Sequence, residues 1–421
     1  MYHKMMMDIA SIYFEGRSLF PYWDDELLEK WKINYVTVLN KINEQTTLTE
    51  FYCIIKKWVA ILNDGHTLIY LPEEIKQQGK FLPIELTLIE DELVICSALP
   101  EYKNLTFLPI KKIYNLTTED FINEVSAHFW KSNLNVSLTN FQNHPSFLFP
   151  DDSFWIEFKD GITKKVNLLE QPVNFDAALV SPILMNHKNL SVSEAIDIYI
   201  IENKALIKIK NFMTPEVVTE FYRTMPLLEQ VDEVLFDIRK NFGGNSGFAN
   251  EIAQAFFDGP MKTEKSEVQN FNAQVYASAT QLFFNRLELN KDTQIFYDAL
   301  QYQTLITEQE DDFYPDRAGL LSDTPVKIIM DDQTYSSSEN FVMIFDNVQR
   351  ASLIGSTTAG STGQPALIKL ETGGVFMVTA KKVAYPNGTE HHNIGIKPDI
   401  EMLRKIVDQN NDVILTNLLL K

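Results

Sequence analysis

The chain has 421 residues, of which 45% are hydrophobic and 22% charged. That is ordinary globular composition, long enough for two or three domains and a well-buried core. A formal net charge of −20 argues against nucleic acid and anionic membrane surfaces as partners, because both need clustered Lys and Arg.

The opening "MYHKMMMDIASIYFEGRSLFPYW" has no apolar core of signal-peptide length, and Asp8 and Glu15 interrupt it. No segment approaches the roughly 20 apolar residues of a membrane span, so a soluble, cytoplasmic protein is expected. Cys53 and Cys96 lie in separate segments without C-x-x-C spacing. They suggest neither a disulfide framework nor a zinc site.

Residues 1–78 read as a helical domain. "DDELLEKWKINYVTVLNKI" and "TLTEFYCIIKKWVAIL" place apolar residues at three- and four-residue intervals, and "TTLTEF" offers a threonine cap with a following glutamate. The segment ends in "LNDGHTLIY". Residues 79–175 read as a β-rich module: "FLPIELTLIEDELVICSAL" alternates around an "EDE" turn, and "SFWIEFKDGITKKVNL" reads as a hairpin turning at Asp160-Gly161. Between them, "LPIKKIYNLTTEDFINEVSAHF" reads as strand, turn and helix, capped near Thr117 or Thr118. Residues 176–421 then alternate strand and helix, the rhythm of an α/β core with parallel strands. A helical insertion is expected at 278–305.

Three short stretches could carry chemistry. "SSSE", Ser336 to Glu339, precedes an apolar helical run. On its own S-x-x-E is a capping box, and a capping serine needs no catalytic role. "FDIRKNFGGNSG", residues 236–247, ends a strand in adjacent glycines, whose N–H groups can turn toward one point as an oxyanion hole requires. "LNDGHT" places His66 in a glycine-containing turn after a helix, and histidine is the usual base for a serine.

The order of these stretches resembles the C-terminal processing (tail-specific) serine proteases, a family that includes the tricorn protease core and the retinoid-binding repeats. "LNDGHT" resembles the family's L-x-D-x-H-T, and "VLFDIRKNFGG" its D-[LI]-R-x-N-x-G-G. "SSSENFVMIFDNVQRASLIGSTTAG" resembles S-x-[SA]-E followed by R-x-x-x-[IV]-G-x-x-T-x-G, and "NIGIKPDIEM" the closing G-[IV]-x-P-D-[IV]. The resemblance implies an α/β protease core of crotonase/Clp-protease-like βαβ units, an N-terminal helical domain and a degenerate PDZ-like middle module. "IKKIYNLTTEDFINEV" is similar to the last strand and helix of such a module, which would dock a peptide by strand addition.

Carried over residue by residue, the resemblance makes Ser336 the nucleophile and Ser338 the small residue of the motif. The backbone N–H of Ser337, with that of Gly243 or Gly244, would form the oxyanion hole. Many members use a lysine base, but Ser361 stands at that position, and Lys369 does not match. The histidine branch, similar to the tricorn core, supplies His66 as base. Gly65 replaces the serine that branch places before its histidine. Glu390 is the nearest candidate to orient His66, while Asp64 is read as positioning its own turn. Arg239, Asn241, Asp237 and Asp399 are read as structural.

The expected function is a serine endopeptidase acting on unfolded or C-terminal polypeptide segments, with no metal or organic cofactor and with homo-oligomerisation left open. The alternative is a binding protein on the same scaffold, as the retinoid-binding repeats exemplify. Retention of both Ser336 and His66 favours the enzyme, since a carrier has no need of them together.

Overall fold

A computed structural model describes residues 1–420 apart from 174, 176–178, 180 and 270–304. Most of the helical insertion expected at 278–305 therefore lies outside the described residues. The organising element is a six-stranded sheet in the order Ile400–Glu401, Ala351–Gly355, Val326–Met330, Glu233–Asp237, Lys204–Ile209, Ile196–Ile201. Its strands run parallel, except that Ile196–Ile201 pairs antiparallel with Lys204–Ile209 as a hairpin.

Both faces of this sheet are covered, which is why its central strands read as unbroken apolar runs. Phe236, Ile328 and Met330 pack on one side with Phe221, Phe256, Phe341 and Phe345. Leu206, Leu235 and Ile329 pack on the other with Leu415 and Leu419 of the C-terminal helix Val413–Leu420. The glycine turn and the serine run follow the carboxyl ends of the adjacent strands Glu233–Asp237 and Val326–Met330. Open α/β sheets bind their ligands at such ends.

The first three helices are Tyr2–Leu19, Asp25–Lys41 and Leu48–Val59. Asp24 caps the second, and Thr47 with Glu50 forms the expected capping box on the third. These helices do not close a core of their own. Trp31, Phe51, Tyr52, Ile55 and Trp58 are sealed by Leu370, Phe376 and Val378 from the far end of the chain. Strand Leu68–Tyr70 pairs antiparallel with Val375–Thr379, which in turn pairs with Pro365–Lys369. Buried Asp8 accepts from the N–H groups of Glu371 and Thr372, fastening the first helix to the same hairpin.

The β-rich segment does hold its own core, drawn from residues between Leu82 and Val166. Its turns fall where expected: Glu90-Asp91 reverses one hairpin, Gly161 another, and Thr117 caps the helix Thr118–Ser126. Among the described residues, strand Ile84–Ile89 pairs on one side only. Its other edge is closed by the helix Leu134–Gln142. The Gln142 amide bonds both the N–H and the carbonyl of Leu86. Asn135 accepts from the N–H of Leu88 at 2.8 Å and donates to its carbonyl at 3.4 Å. The backbone groups that strand addition would use on Leu86 and Leu88 are thus already engaged.

Candidate active site

Ser336 sits between strand Val326–Met330 and helix Ser337–Asp346. Its backbone adopts φ 59° and ψ −127°, a sparsely populated conformation for a residue other than glycine. Surrounding bonds hold it there: Tyr335 N donates to Asn241 O at 3.0 Å and Ser336 N to Ser361 O at 3.1 Å. The Ser336 side chain makes no capping bond to its helix. Glu339 does not complete a capping box either: its carboxylate accepts from Gly360 N and Ser361 N, both at 2.8 Å, and from the Thr358 hydroxyl. Ser338 Oγ donates to Asn241 O at 2.9 Å and Ser337 Oγ to Gly244 O at 2.8 Å. Of the three serines, the hydroxyl left facing the cavity is that of Ser336.

The glycine turn is fixed from below and from the side. Arg239 lies between two buried carboxylates, with Nη2 2.7 Å from Asp237 Oδ2 and 2.6 Å from Asp412 Oδ2. Asn241, fully buried, donates to Ile209 O at 2.9 Å and accepts from Gly243 N at 2.9 Å. Its carbonyl also receives Tyr335 N and Ser338 Oγ, so one residue ties the sheet, the turn and the serine elbow together.

That bond corrects one expectation. The Gly243 N–H is turned to Asn241 and is not available to an oxyanion. Gly243 is needed for space: a Cβ there would fall 2.7 Å from both Ser336 Cβ and Ser337 N. The N–H groups of Gly244 and Ser337 have no protein acceptor among the described residues, and both residues line the cavity.

His66 follows a left-handed residue, Asn63 at φ 46°, that ends the preceding helical turn. Its Nε2 lies 3.0 Å from Ser336 Oγ and its Nδ1 2.9 Å from Ser361 Oγ. The ring stacks on Tyr335 with centroids 4.5 Å apart. Burial pushes the imidazole down to about 4, against the nearby Asp64 carboxylate, which raises it, and with His392, which lowers it further. A buried neutral imidazole is the form that can take a proton from a serine.

Gly65 leaves no room for the serine that the tricorn-like pattern places there. A Cβ would lie 2.8 Å from the Tyr335 ring and 2.9 Å from Trp130.

Glu390 is not brought to His66. Its half-exposed carboxylate pairs with Lys382, and the ring nitrogen it was expected to orient faces Ser361 instead. Behind Ser361 stands Asp64, whose Oδ1 accepts the Ser361 hydroxyl at 3.3 Å. Asp64 Oδ2 accepts from Thr67 at 2.6 Å and from Thr379 at 2.5 Å. Ser361 and Asp64 were missed as site residues. The only sequence signals were the serine standing where related chains carry lysine and the D-x-H spacing of the turn.

The cavity over Ser336 measures about 800 Å³. Leu68, Tyr70, Met213, Phe242, Pro365 and Met377 give it apolar walls, and Lys381 in its lining is paired with Glu264. Among the described residues no helix is long and apolar enough to cross a membrane.

Residues 203–402, which include the glycine turn, the serine elbow and the closing "GIKPD", match the model of Peptidase family S41. The chain is a serine peptidase, with an α/β core of that family's kind. No curated protein sequence is similar enough to count as a match. Among solved structures, the chain is similar to mature CPAF complexed with lactacystin, at 13% identity and a TM-score of 0.70, covering 97% of this chain and 95% of that one. It is also similar to the photosystem II D1 C-terminal processing protease, at 14% identity and a TM-score of 0.52, covering 95% and 92%. At these identities the likeness is one of fold.

Proposed function

We propose that the protein is a serine endopeptidase of the C-terminal processing type, with Ser336 as nucleophile and His66 as general base. The observation that carries this reading is the 3.0 Å approach of His66 Nε2 to Ser336 Oγ, because the two residues are 270 positions apart and the serine performs no capping role. His66 takes the serine proton as Oγ attacks the scissile carbonyl, then returns it to the leaving amine. The N–H groups of Gly244 and Ser337 stabilise the oxyanion. Lysine as the base is disfavoured, since Lys381 is spent on Glu264 and Lys369 is exposed on its strand. Unfolded or C-terminal segments are the proposed substrates, entering extended with uncharged side chains against the apolar walls. The β-rich segment is proposed as a degenerate PDZ-like module. Its closed Leu86–Leu88 edge disfavours strand addition there and leaves substrate selection to the cavity.

The test is cleavage of unstructured peptides together with labelling by a serine-directed phosphonate. Ser336→Ala and His66→Ala should each lower kcat by ~10⁴-fold or more, and the label should map to Ser336. Undiminished cleavage by purified Ser336→Ala would overturn the assignment.

A further inference from the structure

We infer that Ser361 and Asp64 are positioning residues that hold His66 with its proton on Nδ1, taking the place of a carboxylate bonded directly to the ring. This rests on the proposed Ser336–His66 pair and says what orients it.

The argument follows from counting donors. A serine hydroxyl carries one proton and two acceptor sites, whereas a carboxylate only accepts. Ser361 Oγ lies 3.3 Å from Asp64 Oδ1 and 2.9 Å from His66 Nδ1. With its single proton directed to Asp64, Ser361 can only accept from the imidazole. Nδ1 must then carry the ring proton, and the Nε2 lone pair is left for Ser336 Oγ, 3.0 Å away. The opposite tautomer would place an N–H against the nucleophile and leave it without a base.

In the reaction the Ser336 Oγ–H bond breaks and an Nε2–H bond forms. The resulting imidazolium keeps its Nδ1–H bond to Ser361, and Asp64 offsets its charge from one hydroxyl further away. No proton needs to move past Nδ1.

The surroundings are built to hold this chain rigidly. Ser361 is fully buried. Its N–H is fixed on Glu339, and its carbonyl accepts from the Ser336 N–H. The residue that orients the base therefore also anchors the backbone of the nucleophile. Thr67 and Thr379 both bind the second oxygen of Asp64, leaving Oδ1 toward Ser361. Tyr335 fixes the ring plane. Among the described residues, other titratable groups face this cluster: Tyr335, whose hydroxyl is within hydrogen-bonding reach of the Ser361 side chain, His392, whose Nδ1 lies 3.7 Å from Asp64 Oδ1, Tyr22, stacked on His392, and Glu339 on the far side of Ser361.

The experiment combines kinetics with ¹⁵N-histidine NMR, assigned by loss of one signal set in His66→Gln. Folded wild type should show His66 protonated on Nδ1. Ser361→Ala and Asp64→Asn should lower kcat by ~10²- to 10⁴-fold with KM within about threefold, and should shift His66 toward mixed tautomers. Asp64→Glu should recover part of the loss. An Nε2-protonated His66 in folded wild type would overturn the inference even if neither variant folds. So would wild-type kcat in folded Ser361→Ala. If Ser336→Ala instead cleaves normally, the peptidase assignment fails, while the tautomer measurement still decides whether Ser361 and Asp64 orient the ring.

Discussion

Replacing Gly243 with alanine tests whether the glycine turn and the serine elbow are packed as one unit. At φ +86° an alanine costs about 1 kcal/mol in backbone conformation. Its Cβ would lie 2.7 Å from Ser336 Cβ, 2.7 Å from Ser337 N and 2.9 Å from Tyr335 O. Two of these three atoms are main chain, so no rotamer change relieves the overlap. Restoring ordinary contact at 3.4 Å moves the elbow away by about 0.7 Å. That displacement falls on the proposed nucleophile Ser336 and on the proposed oxyanion donor Ser337 together. Since a ~1 Å misplacement costs ~100-fold in rate, kcat should fall roughly 30- to 100-fold with KM little changed. Stability should fall by about 2–3 kcal/mol from conformation and overpacking. The substitution retains the Gly243 N–H, so loss of a donor cannot account for the effect. Steady-state kinetics, burst titration of competent sites and urea melts measure it. Wild-type kcat at wild-type stability would refute the packing argument.

Two further outcomes follow from the same geometry. Burial pushes the Glu339 carboxyl up from 4.5 to about 7, against the donors that favour its charged form. A folded-state pKa above the unfolded one means that the native state holds the proton more tightly. This contribution is therefore fully present below pH 4.5 and is lost as pH rises to 7, by on the order of 3 kcal/mol. In urea melts the stability gap between wild type and Glu339→Gln should narrow by about this amount from pH 4.5 to pH 8, and parallel curves would contradict the assignment. The second concerns strand Leu68–Tyr70, where Tyr70 is registered opposite Val375. A disulfide in Tyr70→Cys/Val375→Cys should leave peptidase rates within about twofold of the reduced form, whereas reversible inactivation on oxidation would show that this pairing opens during turnover.

Much of the site was legible because local chemistry specifies it. A strand ending in Asp237, Arg239, Asn241 and two glycines has few other uses, and the DGHT turn and the serine run stand in the order the fold requires. Other features depended on contacts that spacing does not reveal. Two adjacent glycines looked equivalent as oxyanion donors until the Asn241 side chain was seen to occupy one of them. Glu390 was sought downstream as the acid behind His66, but the carboxylate that stands there belongs to Asp64, two residues before the histidine, and between them lies Ser361, 297 positions from Asp64. The D-x-H spacing places Asp64 near the histidine but does not show that route, because Asp64 also bonds Thr67 within its own turn. What closes the core of the helices read at 1–78 was hidden for a similar reason. The apolar stripes of the helices were plain, but no local pattern shows that Phe376 and Val378 cover them.

That shared core bears on how His66 and Ser336 are kept together. His66 belongs to the N-terminal part of the chain, 270 positions before Ser336, so its place depends on how that part is fastened to the core. The strand directly after His66 pairs with Val375–Thr379, and that strand pairs with the one that follows Ser361. Asp64 and His66 therefore lie in the turn leading into one strand of this sheet, Ser361 in the loop leading into another, and Thr379 at the end of the strand between them, and the buried face of the sheet is the floor of the helical core. Withdrawing the helices would expose Phe376 and Val378 and carry Ser361 along with the histidine. Ser361 is bonded in turn to the backbone of Ser336 and to Glu339, so such a movement would also unseat the elbow. His66, Asp64, Ser361 and Ser336 are thus coupled by hydrogen bonds with little exposure to water. On the proposed assignment a substrate entering the cavity would meet Ser336 and His66 already in register, and its own fit against the apolar walls would decide whether it is cut.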